Sequence, residues 1–148
     1  MAETLGMLCD KLTIVKLKEY HTTDADRLSS LQNQANQLQT EIDEYFQDAL
    51  NGTIPAARLT FDANKVFKQE GNVVKEVVGK IGEIIYQLAD VNCRLWHEQE
   101  KVYEFDKVPV EEKDVVVKQL ALLNLERNKC IDSINKQFAA IVQQQQNI

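Results

Sequence analysis

Residues 28–49 carry the pattern that most narrows the choice of fold. Leu28, Leu31, Ala35, Leu38, Ile42, Tyr45 and Ala49 alternate at spacings of three and four without a break, the repeat of a helix with one narrow apolar seam. Between them the chain is mostly Gln, Asn, Ser and Glu, so the other faces of that helix suit water. Such a seam is stable only against other helices, as in a bundle or a helical hairpin. At 1.5 Å per residue the helix spans about 40 Å, and Gly52 follows as its terminator.

The rest of the chain supplies the neighbours. A first helix is predicted over 4–21, with Leu5, Leu8, Leu12 and Val15 on one stripe and Ile14 and Leu17 widening it. The turn His21-Thr22-Thr23-Asp24 follows, with Thr23 or Asp24 as the next N-cap. A third helix is predicted over 72–106 on Val74, Val77, Ile81, Ile84, Leu88, Val91, Leu95 and Val102, with Gly79 and Gly82 admitting a close neighbour. Pro109 breaks the chain. A fourth helix over 110–144 places Val116, Leu120, Leu123, Arg127, Ile131, Ile134, Phe138 and Ile141 on one face. Only two prolines and five glycines interrupt 148 residues, and no strand pattern competes. The expectation is all-α: one domain, 1–148, forming an antiparallel four-helix bundle with long helices and an elaborated connection after the second.

That connection, 53–71, opens with Thr53-Ile54-Pro55, which cannot continue a helix. It carries Leu59, Phe61, Val66 and Phe67, more apolar than a solvated loop requires. A short helix near 62–70 folded back on the bundle is one reading; a lid or a dimer contact is the other. Residues 143–148 read as a frayed tail.

A net charge of −6 argues against a nucleic-acid partner and against docking on anionic membrane, since both need a concentrated basic face. No apolar run reaches the roughly 20 residues of a membrane span. Met1-Ala2-Glu3-Thr4 is acidic where a secretory signal is basic. Cys9, Cys93 and Cys130 are odd in number, with no Cys-x-x-Cys, so a reduced, cytosolic protein is expected, its thiols acting as small hydrophobes. His21 and His97 lack helical metal-ligand spacing despite Asp24, Glu98 and Glu100, and no metal is expected. There is no Gly-x-Ser-x-Gly. Gly71, Gly79 and Gly82 follow no strand, so neither a nucleophile elbow nor a dinucleotide loop is present and no cofactor is implied.

Three polar strings fall on the apolar faces of predicted helices: Asp10-Lys11-Leu12-Thr13-Ile14, Asn92-Cys93-Arg94-Leu95-Trp96, and Asn124-Leu125-Glu126-Arg127 with Ile134-Asn135. Burying an unpaired amide or charge is costly, so these strings mark a polar network or a site. Arg127 keeps its charge and needs a carboxylate or an anionic ligand; Asp10, Glu126 and Asp132 are candidate partners. One reading is an Arg–Asp pair closed by asparagine amides, which holds helix register. The other is a site in which Arg127 and Lys11 hold a phosphate or carboxylate and Trp96 stacks on a ring. The candidate patch is Asp10, Lys11, Asn92, Trp96, Asn124, Arg127 and Asn135. A faint echo links Tyr20-His21 to Trp96-His97.

The series Asp10-Lys11-Leu12-Thr13-Ile14-Val15-Lys16-Leu17-Lys18, Asn92-x-x-Leu95-Trp96 and Asn124-x-x-Arg127 with Ile134-Asn135 resembles the motifs of a group of small bacterial helical proteins classed as domains of unknown function. Some are encoded beside, or fused to, glycosyltransferases of surface-polysaccharide pathways. The resemblance covers 5–21 and 81–138; Gln99 stands where the group usually has an acid. It implies a helical fold and a place beside polysaccharide assembly, and no reaction. The expected function is a cytosolic helical binding or accessory protein, whose narrow second seam suits a homodimer or a helical protein partner. The alternative is a binder or enzyme for an anionic, sugar-like ligand, using Arg127, Lys11 and Trp96 with Asp10 or Glu98 as acid or base.

Overall fold

A computed structural model describes residues 3–61 and 77–146. Among these residues lie four α-helices, α1 (Leu5–His21), α2 (Ala25–Leu50), α3 (Ile81–Tyr103) and α4 (Val110–Gln146), and no strand. The protein is an all-α antiparallel four-helix bundle, as the seam of 28–49 requires.

Local chemistry sets the helix ends. Thr4 is the extended N-cap of α1 and accepts a hydrogen bond from the Met7 amide. Asp24 caps α2 by accepting from the Arg27 amide at 3.0 Å. Both satisfy amides that have no partner inside the helix. Asn51 closes α2, and Gly52, at φ +84°, takes the left-handed conformation that glycine adopts without strain.

The third helix is shorter than predicted. Residues 72–76 lie outside the described residues, 77–80 are not helical, and α3 starts at Ile81. Gly79, at φ +129°, is the reason, because a helix cannot pass through that backbone angle. A Cβ on Gly82 would meet nothing within 4 Å, and the atoms nearest one on Gly79 belong to Glu83 of α3. α4 reaches Gly79 through the Gln137 side chain, which donates to its carbonyl at 3.0 Å. The fourth helix is longer than predicted, and it takes up most of the stretch read as a frayed tail. α4 continues through Gln146, whose side-chain amide donates to the Ala49 carbonyl at 3.4 Å, tying the helix end to α2.

Packing follows the stripes. α4 lies along α3 and, across the short diagonal of the bundle, against α1; α2 rests mainly on α1 and touches α4. Leu31, Leu38, Tyr45 and Ala49 of the α2 seam are buried, while Leu28, Ala35 and Ile42 are half-covered. On α4 the buried stripe ends at Val142, with Ile141 turned outward. Ile131, Asn135, Phe138 and Ala139 are all buried and centre the covered face of the helix on the direction of Val142, which leaves Ile141, about 100° away, at its outer edge. Leu59, beside a 3-10 turn at Ala56–Arg58, is fully buried and tucks the start of the connection against α4. The short helix expected near 62–70 lies outside the described residues.

The helices differ in length. α1 ends at His21, which stacks on Trp96 of α3. α3 then continues to Tyr103, about 10 Å farther, alongside the first turns of α4. No helix among the described residues is long and apolar enough to cross a membrane.

Candidate functional site

The three polar strings meet in part. Asp10 is 4% exposed and accepts three hydrogen bonds. Asn92 Nδ2 of α3 donates to Oδ1 at 2.9 Å, while Arg127 of α4 donates from Nε to Oδ1 at 2.9 Å and from Nη2 to Oδ2 at 2.6 Å. The fork of the guanidinium thus grips both carboxylate oxygens, the strongest geometry for such a pair. One residue from each of three helices contributes, so a single buried anion sets the mutual position of α1, α3 and α4. The Arg127 side chain remains 31% exposed; the ion pair is buried on the aspartate side and open on the arginine side.

One turn before Asp10, Gly6 makes a second junction with α4. Its amide donates to Asn135 Oδ1 at 2.7 Å. A Cβ at Gly6 would lie 2.5 Å from the Ile131 carbonyl oxygen and 2.9 Å from Asn135 Oδ1. Only glycine permits this approach, and in return Asn135 satisfies an amide of the first turn that the helix leaves free. The buried hydroxyl of Tyr45 sits near the Leu5 amide of the same turn but makes no hydrogen bond, and burial raises its pKa above the usual phenol value.

A third tie joins α3 to α4. Arg94 reaches Asp90 at 2.9 Å and the buried Glu126 at 3.3 Å. Glu126 and Arg127 are adjacent on α4 yet each serves a different partner, because one residue turns the side chain by about 100°.

The same rotation keeps other predicted residues apart. Lys11 points away from Asp10 into the groove between α1 and α2, where it pairs with Glu3 beside Gln34 and Glu41. Asn124 is exposed, since Leu123 and Arg127 occupy the inner positions around it. Lys11 and Asn124 therefore leave the patch, and Arg127 and Lys11 do not share an anion. Asp10, Asn92 and Arg127 remain together, and Asn135 lies at the neighbouring Gly6 junction.

Trp96 stands in a separate place. Its ring is half-buried and stacks on His21, with centroids 4.6 Å apart and planes inclined by 21°. His21 Nδ1 lies 2.8 Å from the Leu17 carbonyl. The two aromatic–histidine pairs of the sequence thus meet across α1 and α3. Beside them lies an open hollow of about 550 Å³ lined by Leu17, Tyr20, Cys93, His97 and Glu100. Neither Asp10 nor Arg127 lines it.

Cys130 is buried, Cys9 half-buried and Cys93 exposed, and none of the three is in a disulfide. Burial pushes the Cys9 thiol up, and the neighbouring Asp10 charge adds to the shift. No group of three metal-ligating side chains occurs among the described residues.

Gly6 was not singled out in the sequence. Its signal was a glycine within the first turn of an otherwise well-formed helix, where alanine is favoured by about 1 kcal/mol. No family model, curated protein or solved structure matches the chain.

Proposed function

We propose that this chain is a non-enzymatic helical accessory protein that binds another protein, in the cytosol and in the surface-polysaccharide setting its motif series implies. The observation that supports this reading is the state of Asp10. Its carboxylate takes three hydrogen bonds from Asn92 and Arg127 and lines neither the hollow at Lys11 nor the one at Trp96. A carboxylate so occupied fixes helix positions and has little capacity left for a substrate or a proton transfer. The most polar motif residues then act as scaffolding, and recognition falls to the outer surface.

The test is thermal unfolding of wild type and Arg127→Leu with nucleotide sugars, inorganic phosphate and divalent metals. The accessory reading expects no ligand to raise the wild-type midpoint and expects the variant to be strongly destabilised, because ligand binding to the native state stabilises by mass action. A ligand that raises the wild-type midpoint but not that of the variant supports an anion site and overturns the reading. A second reading, a small-ligand binder, is favoured by the hollow beside Trp96, where Lys16, His97 and Glu100 supply the polar rim. The same panel with His97→Ala in place of Arg127→Leu tests it: a shift that depends on His97 places the ligand there.

A further inference from the structure

We propose that the free end of the α3–α4 hairpin, residues 98–118, docks a basic amphipathic helix of the partner protein; this rests on the accessory reading above. The first observation is Val115-Val116-Val117 near the start of α4. At 100° per residue these three β-branched side chains span about 200° of the helix surface. Val116 faces α3 and is 5% exposed, whereas Val115 and Val117 are 58% and 56% exposed. Tyr103, at the end of α3, and Val110, at the start of α4, are also bare to solvent, at 81% and 80%. A helix apolar on so much of its circumference is expected to be covered. α1 has already ended beside Trp96, and α3 runs on past that level with the first turns of α4.

Charge selects the occupant. Between Glu98 and Lys118 the chain carries seven carboxylates and four lysines, a net charge of −3, half of the whole protein's −6 in one-seventh of its length. Lys101 and Lys107 pair with Glu98 and Glu104, and Lys113 sits 4.9 Å above the Phe105 ring. Glu111, Glu112 and Asp114 remain exposed on the turns of α4 that carry the valines, and Asp106 is exposed in the connection before them. A second copy would bring the same charge to the contact and be repelled. A helix with an apolar stripe flanked by Lys and Arg covers the flank that carries Val110 and Val117, about 20° apart around α4, meets the carboxylates, and adds a third helix where two leave that flank bare.

The probe is a labelled synthetic helix of about 18 residues, five turns, with Leu at the heptad a and d positions and Lys elsewhere. A control peptide carries Glu in place of Lys. Fluorescence anisotropy is measured against wild type, V115S/V117S and E111K/D114K, each checked for an unchanged melting curve. The expected result is binding of the Lys peptide to wild type, weakened at least about tenfold by either pair of substitutions and by added salt, with no binding of the Glu peptide. Absence of binding, or equal binding by wild type and V115S/V117S, overturns the assignment. So does a wild-type dimer in sedimentation equilibrium that V115S/V117S dissociates, which would assign the tip to a second copy. Each of these outcomes refutes the tip alone; a small-molecule shift in the thermal panel refutes the accessory reading itself.

Discussion

The two ends of α4 treat polar and apolar side chains in opposite ways. Over 126–135 the helix buries Glu126, Asp132 and Asn135, and Arg127 reaches inward to Asp10. Over 110–117 it turns Val110, Val115 and Val117 to solvent. Residue type alone predicts the reverse. The difference lies in the number of surrounding helices. Where α1 and α3 both flank α4, its charges find partners on each, Asp10 of α1 accepting from Arg127 and Arg94 of α3 donating to Glu126, and the desolvation is offset. Near the start of α4 one neighbour covers one stripe, and the valines on either side of it stay wet.

Removing a partner from the crowded end has the largest expected effect. Arg127→Leu leaves Asp10 buried with Asn92 as its one remaining donor, and breaking such a pair should cost about 3 kcal/mol, the low end of the range because the arginine is partly exposed. Chemical denaturation reads this as a fall in transition midpoint with an unchanged slope. A loss under about 1 kcal/mol would mean that the pair contributes no more than a surface salt bridge.

Gly6→Ala should come next, at about 2 kcal/mol. Its new Cβ would press on the Ile131 carbonyl oxygen, a backbone atom that cannot swing aside, and α1 must shift from α4. A variant as stable as wild type would show that the α1–α4 approach is not limited by this contact.

Alkaline pH probes the same region more gently. The folded state holds the Cys9 thiol and the Tyr45 phenol above their ordinary values, chiefly through burial. Folding therefore favours their neutral forms. Their contribution is complete below the ordinary thiol and phenol range and is lost as pH rises through the raised folded values. Thermal midpoints should fall between about pH 9 and 11, and less so in Tyr45→Phe. Because the Tyr45 hydroxyl is buried without a hydrogen bond, that variant should match or exceed wild-type stability at neutral pH, by up to about 1 kcal/mol. An identical alkaline slope in the two proteins removes Tyr45 from the account.

The smallest effect belongs to the open end. V115S/V117S should change stability by no more than about 0.5 kcal/mol, since neither side chain is buried. A larger loss would mean that the valines are packed, and the contrast between the two ends of α4 would fail.

Much of this contrast can be traced in the sequence, and the failures are specific. The α2 seam and the Asp24 cap are local patterns, and both appear in the fold where they were expected. That Arg127 requires an anionic partner is legible, because a charge on an apolar stripe demands one, but Asp10, Glu126 and Asp132 are equal candidates in the sequence. Lys11 and Asn124 were misplaced because a motif written along the chain disregards the 100° turn between neighbours on a helix. Gly79 looks like a packing glycine in the sequence, although its backbone angle keeps it outside α3, which starts two residues later. Single residues do not announce which use of glycine applies.

By itself, then, the sequence determined that the chain is helical, roughly where its helices lie, and that Arg127 needs an anion, because these follow from periodicity, capping and the permanent charge of a guanidinium. The tertiary structure alone decided that Asp10 is that anion, that Gly6 is where α1 meets α4, that His21 rests on Trp96, and that one end of α4 stands bare. Each depends on how helices distant in sequence are rotated and offset against one another, and no local pattern encodes that offset.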